Sequence, residues 1–452
     1  MEFTRRLGRL GGHRDFRRLM IVRLAGQSGD GTAQVGMASY LLFDPQSQTS
    51  AWAVAGVLAL TMLPYSLFGP FVSVLLDRFW RQRISVLVDL TRTACSLVLA
   101  AMIASHLTGG GASVVLAVLL LVMLSLNRFT LAGLQAGLAG TVDESEYLEA
   151  SSIMPMIGPL AALFGGAAAG VIRLVLGGPL GTDAANGLIF VLAALLFIGA
   201  AGAAGRIPRD ALGPEDGAER TTVGDVAHGL ATGLRHLSAR RPARLALLSE
   251  AVVRIGYGFL MAFVIVVHRH RFAGEGRLGT AIAGAGGWFA VSGVGFVLSG
   301  VVSVPIADRI GVRRCIGAML LVMALSQATV GAVMAVPALL VNSFLIGLAG
   351  QSLKVQVDTV VQAHVDDDHR GRVFTLYDVL YNVSTVLGAV IAASVLPADA
   401  ASTSAMIGMG AGYLLAAAGF LAASRGPGDA VFNRGTRAGG AEDEQPSAGA
   451  RA

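Results

Sequence analysis

The chain has 452 residues, 54% hydrophobic and 14% charged, with a mean hydropathy of +0.66. Soluble domains carry about 25% charged residues, so an ordinary soluble enzyme or binding module is excluded. The net charge of +5 does not argue for nucleic acid, because the basic residues are dispersed over separate short loops rather than gathered in one patch.

Apolar stretches of about 20 residues, enough to cross a hydrocarbon core of about 30 Å, recur along the chain. They predict twelve transmembrane helices, at 18–43, 51–76, 84–107, 112–139, 150–176, 184–206, 243–267, 280–306, 315–335, 337–360, 371–396 and 402–424. The opening MEFTRRLGRLGGHRDFRRL is Arg-rich and leads into a helix carrying Arg23 and Asp30, unlike a removable signal peptide. Arginines recur at DRFWRQR (77–83), in the loop 207–242, at DRIGVRR (308–314), at HRGR (369–372) and in the tail, while DPQSQTS and LTGGG have none. This positive-inside alternation predicts a multi-pass protein of the inner (plasma) membrane with both termini cytoplasmic. HRHRF (268–272) is the exception, a basic loop on the outer side. Cys95 and Cys315 lie in or beside helices, so no disulfide framework is expected.

In helix 1, Arg23, Gln27, Asp30 and Gln34 share one face over three turns. Asp30 lies in SGDG near mid-span, where charge is costly and function is the default reading. Low dielectric disfavours its charged form, which suits a proton carrier; the alternative is a structural ion pair with Arg23 or another intramembrane arginine. In helix 3, Asp89 and Arg92 form an i,i+3 pair close to the Arg-rich loop and read as a gate contact. The central loop places Val223, Val226, Leu230, Leu234 and Leu237 on one face, predicting an amphipathic helix on the inner membrane surface. Helix 7 carries Glu250 and Arg254 at i,i+4, a structural or gating pair with Glu250 the second candidate for coupling. His268 and His270 diverge on a helix at i,i+2, so no metal site is read there.

Arginine occurs 33 times and lysine once, as Lys354 on helix 10, four residues before Asp358. Two readings stand open: a lysine that snorkels to the cytosol beside its aspartate, or a buried ammonium in a central cavity. Gln351 lies one turn away on the same helix. Residues 425–452, rich in Gly, Ala and charge, read as a disordered cytoplasmic tail.

The chain repeats itself. GPFVSVLLDRFWRQR (69–83) slides by 231 positions onto GVVSVPIADRIGVRR (300–314), superposing Gly69 on Gly300, Asp77 on Asp308, Arg78 on Arg309 and Arg83 on Arg314. GTVDE (140–144) slides by 223 onto AHVDD (363–367), and the same offset sets Arg128 opposite Gln351. Two six-helix halves follow, 1–206 and 243–424, joined by a linker at 207–242. Such repeats are frequent in transporters, with the substrate site between the halves near the midplane.

The G-x7-DR-x4-R loop after helix 2, repeated after helix 8, resembles the signature loop of the major facilitator superfamily. Ser73 and Val304 stand where that family usually has a further glycine. RGRVFTLYDVLYN (370–382), LNRFTLAGLQAGL (126–138) and the K-x3-D of Lys354 and Asp358 are similar to a bacterial branch near the drug:proton antiporters that include macrolide and siderophore exporters. Helix 5 departs from the antiporter pattern, with five residues rather than two between Pro159 and Gly165. The resemblance implies an all-α fold of twelve transmembrane helices and a loop cluster that latches the cytoplasmic side, here Asp77, Arg78, Asp308 and Arg309. Gly69 and Gly300 are expected as close helix-contact positions, and Arg83, Asp89, Arg92 and Arg314 as further gate residues.

No nucleotide-binding loop, zinc-ligand spacing or nucleophile triad is present in the sequence. The expectation is a non-enzymatic secondary transporter without cofactor or metal, driven by an ion or solute gradient, and most simply a proton-coupled exporter of an amphiphilic small molecule. Asp30 and Glu250 are its coupling candidates; Gln27, Gln34, Arg128, Gln351, Lys354 and Asp358 are its substrate-cavity candidates. Its expected partners are a small-molecule substrate, protons and the lipid bilayer, with no nucleic acid, acting as a monomer. A lipid or metabolite carrier or uniporter of the same fold, and a receptor or assembly factor without flux, are the rivals.

Overall fold

The computed structural model describes residues 10–43, 50–72, 74, 79–105, 110–143, 146–213, 222–272, 278–425 and 431–433. These residues form thirteen α-helices: α1 (Arg14–Phe43), α2 (Ala51–Phe68), α3 (Arg81–Ala104), α4 (Gly110–Gly137), α5 (Tyr147–Leu176), α6 (Thr182–Ala204), α7 (Val223–Ala239), α8 (Arg241–Val267), α9 (Leu278–Ile310), α10 (Val312–Ala328), α11 (Val336–His364), α12 (Asp367–Val395) and α13 (Thr403–Ala423). Nine helical segments among them are long and apolar enough to cross a membrane. α1 interrupts its apolar run with Arg23 and Asp30, and α10 has 17 residues, about 26 Å of helix. In order, α1–α6 and α8–α13 match the twelve expected spans, and α7 is the linker helix. Asp77 and Arg78 lie outside the described residues.

The chain forms two compact units, Met1–Ser47 with Leu63–Val226, and Gln48–Met62 with Ala227–Ala452. Inside the first, α1 packs on α5 and α6, and α3 on α6 and α4; inside the second, α8 packs on α12, and α10 on α13 and α11. The repeat seen in the loops is thus also a repeat of helix pairs. The closest contacts are made by glycines in reciprocal pairs. A Cβ built on Gly31 of α1 would fall 1.9 Å from the Ala162 carbonyl oxygen of α5, and one on Gly165 would fall 1.9 Å from that of Ser28. In the second unit, Gly258 meets Thr385 O and Gly388 meets Ile255 O, each at 1.8 Å. Only residues without a side chain let the backbones approach so closely.

Large apolar side chains are left exposed on the outer faces, as Leu163, Phe164 and Val171 of α5 and Val297 and Val301 of α9 show. That surface suits hydrocarbon and is poorly suited to water.

Two expectations are corrected here. Gly300 is exposed, with no atom within 4 Å of the position its Cβ would take, so it is not a helix-contact glycine; α9 makes its close approach to α11 at Gly295, beside Phe344 O. The linker helix forms at Val223–Ala239, with small residues on the face that meets α12. Gly229 and Gly233 are buried against Arg372 of α12, while Val223 and Leu234 of the apolar stripe stay exposed. The tail is not wholly disordered either. Phe432 is buried edge-on against Phe420 of α13, Val431 O accepts from His364 Nε2 at 2.7 Å, and Asn433 Oδ1 accepts from the Val312 N–H at 2.9 Å. Asn433 thereby supplies the side-chain cap that Gly311 cannot give α10.

Candidate functional site

Each unit holds a polar cluster inside its helix bundle. In the first unit the centre is Arg92 of α3, wholly buried. Its Nη1 donates to Asp89 Oδ1 at 3.0 Å, its Nη2 donates to Asp30 Oδ1, and its guanidinium lies 3.9 Å over the Phe197 ring of α6. Gln27 Nε2 donates to the other Asp30 oxygen and to Asn127 Oδ1 of α4, both at 3.0 Å. Two carboxylates therefore share one guanidinium, an excess of one negative charge among the three. Asp30 is satisfied on both oxygens, whereas Asp89 Oδ2 is buried with no hydrogen-bond partner. A carboxylate oxygen in that position is where a proton would be held.

Asp30 pairs with Arg92 rather than with Arg23, whose guanidinium lies beside Gly158 of α5. The same pairing corrects the assignment of Asp89 and Arg92 to a gate. Both are completely buried, Arg92 bound to mid-span Asp30 and Asp89 bound to Arg92, because α3 starts at Arg81 and carries Arg92 about 16 Å inward. Gln34 is exposed, apart from the Gln27–Asp30 network it was grouped with.

In the second unit, Arg254 of α8 donates through Nε to Glu250 Oε1 at 2.6 Å and through Nη1 to the Tyr381 hydroxyl of α12 at 2.8 Å. The guanidinium also stacks 4.1 Å from the Tyr381 ring centroid. A cavity of about 180 Å³ opens beside it, lined by Arg254, Tyr257, Phe289, Ser292, Gln351 and Tyr381 among others. Its size suits one substituent of a ligand, since whole drug-sized molecules take several hundred Å³. On α11, Lys354 Nζ donates to Asp358 Oδ2 at 2.7 Å and lies 5.4 Å from the Tyr377 ring centroid, with both partners' side chains 29% exposed. In these two pairs one acid faces one base, Glu250 with Arg254 and Asp358 with Lys354.

The remaining expected residues are more scattered. Gly69 sits beside the Arg128 guanidinium, 3.5 Å from its Nε to a built Cβ, so these two expected residues meet. Asp308 and Arg309 are exposed at the last turn of α9, and Arg83 and Arg314 are exposed at the starts of α3 and α10. Asn127, Phe197, Tyr257, Tyr377 and Tyr381 escaped the sequence reading. Only Tyr377 and Tyr381 carried a signal, an i,i+4 tyrosine pair in a chain with seven tyrosines.

A family model described as the Major Facilitator Superfamily matches residues 247–446. Over 389 residues the sequence is 34% identical to an uncharacterised MFS-type transporter of Mycobacterium tuberculosis, covering 85% of each chain. This chain belongs to the major facilitator superfamily. The same values hold for the corresponding Mycobacterium bovis protein. Among solved structures, a bacterial homologue of the lysosomal transporter Spinster, inward-facing and unoccupied, aligns with TM-score 0.62 at 17% identity, covering 91% of this chain and 97% of that one. The POT family transporter PepTSo aligns with TM-score 0.64 at 13% identity, covering 90% and 98%. Identities this low show the fold alone. Membership makes this a multi-pass secondary transporter that takes a small-molecule substrate within the membrane.

Proposed function

We propose that this member of the superfamily couples proton entry to efflux of an amphiphilic small molecule by alternating access. The observation that carries the reading is the Asp30–Arg92–Asp89 group: three buried charges, one negative in excess, with one carboxylate oxygen unsatisfied. Protonating Asp89 would neutralise the group and loosen its hold on Arg92; deprotonation would restore it. The coupling acid of this reading is accordingly Asp89, with Asp30 as the fixed partner of Arg92. The cavity beside Arg254 pairs aromatic walls with a few polar groups, the lining an amphiphile requires. The efflux direction rests on the resemblance to the drug:proton antiporter branch.

In this reading the two six-helix halves, 1–206 and 243–424, are the moving bodies. Asp77 and Arg78 in the first half, and Asp308 and Arg309 in the second, are the cytoplasmic gate residues, and both termini lie on the cytoplasmic side of the plasma membrane, in a monomeric carrier. The test is flux in proteoliposomes. A panel of fluorescent amphiphilic dyes is loaded, a pH gradient is imposed, and dye movement is followed with and without a protonophore. Accumulation that needs the gradient and collapses with the protonophore is the expected result. Dye movement indifferent to the gradient would sink proton coupling, and no dye movement would sink the amphiphile class.

A further inference from the structure

At the α7 end of the second unit lies a cluster that transport chemistry does not use. His236 on α7, Asp366 just before α12 and His369 in the first turn of α12 bring three potential ligand atoms within 4.8 Å of one another. The two imidazoles are stacked, centroids 4.4 Å apart and 8° from parallel. His236 Nε2 and His369 Nδ1 are both buried, and neither has a hydrogen-bond partner. Buried ring nitrogens are ordinarily satisfied, so two orphaned side by side call for an occupant. Asp366 Oδ2 stands 3.8 Å from His236 Nε2, beyond a hydrogen bond but close to the roughly 3.4 Å separating ligands around a tetrahedral ion.

The first unit shows what this cluster looks like when it is self-sufficient. The offset of 223 that aligns GTVDE with AHVDD also carries His13 onto His236, Asp143 onto Asp366 and Glu146 onto His369. There His13 Nε2 is held by Glu146 Oε2 at 2.7 Å, with Asp143 at 4.0 Å. The histidine–carboxylate pair needs nothing more. In the second unit the glutamate has become a histidine, and the pair that results cannot satisfy itself.

We propose that His236, Asp366 and His369 bind a divalent transition-metal ion of the zinc class, pinning linker helix α7 to the start of α12. Two imidazoles and a carboxylate are a donor set for such an ion. The stacked rings direct their lone pairs along parallel planes, so one ring must turn about its Cβ–Cγ bond for both nitrogens to meet it, and the exposure of Asp366 leaves a fourth position for water. Arg240 holds Asp366 by both oxygens, at 3.0 and 2.8 Å. Each oxygen keeps a lone pair, so the arginine orients the carboxylate without consuming it.

The test uses the full chain without a histidine tag, purified in detergent and stripped with chelator. Zn2+ is titrated calorimetrically, and Co2+ is followed by its visible d–d absorption. One Zn2+ per chain and the intense Co2+ bands of a tetrahedral site are expected. His236→Asn and His369→Asn should each weaken Zn2+ binding by about 100-fold or more, while His13→Asn and His270→Asn leave it unchanged. Wild-type protein lacking stoichiometric Zn2+ uptake or tetrahedral Co2+ bands overturns the proposal, whatever the variants do. Equal affinity in His236→Asn or His369→Asn also overturns it, marking the bound metal as adventitious. Size-exclusion profiles of the metal-free variants separate lost binding from lost folding.

Discussion

Arg92 carries more of the first unit's interior than any charge around it, because two aspartates depend on it. Arg92→Met leaves Asp30 and Asp89 buried without a cation, at a cost of about 3–5 kcal/mol. Thermal melting in detergent should show that loss, and Asp30→Asn with Asp89→Asn added to Arg92→Met should recover most of it. Failure of the triple variant to recover would place the damage in lost packing over Phe197 instead. Lys354 poses a different question. Its pair with Asp358 is partly solvated, so the ion pair itself stabilises little. Yet α11 continues ten residues past it, about 15 Å, and the ammonium faces the Tyr377 ring. Of the expected cavity residues only Gln351 lines the cavity beside Arg254, and Lys354 and Asp358 do not. Flux therefore decides between the two readings: a cavity charge predicts reduced flux for Lys354→Arg at wild-type expression, since the wide guanidinium fork cannot replace a compact ammonium. Unaltered flux would return the residue to a snorkelling role. Mid-span Asp30 and the lone lysine were legible in the sequence because cost makes such residues conspicuous. The partner of Asp30 was not, since Arg92 lies 62 residues away and seemed tied to its nearest loop.

The helices show what period and length can and cannot convey. Twelve spans could be read from apolar runs, and the linker helix from its stripe, because each follows from local composition. Which glycines mattered could not be read, in a chain with 59 of them. GGAAAG on α5 contains Gly165, pressed against Ser28 O, and Gly170, which has open space around it. Only the crossing partner distinguishes the two. Gly388→Val should therefore disrupt the α8–α12 contact, since its first added carbon falls 1.8 Å from Ile255 O, and overpacking of this kind costs at least about 1–3 kcal/mol. Gly286→Ala and Gly300→Ala meet nothing within 4 Å and should be neutral or gain up to about 1 kcal/mol of helix propensity. Expression and melting temperature of the three variants, compared side by side, check the ranking. A tolerant Gly388→Val would mean that the helices can separate without loss.

Across the whole molecule, the two halves share a scaffold and differ in what they hold. Helix pairings and reciprocal glycines recur in both units, but the first concentrates an unbalanced acid–arginine group and the second a balanced one beside an aromatic cavity. If the first half carries the proton and the second grips the substrate, the two tasks can be separated by mutation. Asp89→Asn keeps shape and hydrogen bonding but cannot load a proton. It should abolish dye accumulation driven by a pH gradient while leaving downhill dye exchange near the wild-type rate. Tyr381→Phe removes the hydroxyl that accepts from Arg254 at the cavity wall and should do the converse, weakening apparent dye affinity while the remaining transport still follows the gradient. Asp30→Asn also removes a charge from the Arg92 group, but on an acid already satisfied on both oxygens, so its effect should fall more on stability than on coupling. The measurement is paired flux in the same vesicles, gradient-driven and downhill, for each variant. Gradient-driven accumulation that survives Asp89→Asn but is lost in Asp30→Asn would move the proton to Asp30. Accumulation that survives both would leave Glu250, a buried acid with an unsatisfied oxygen, as the next site to test for coupling.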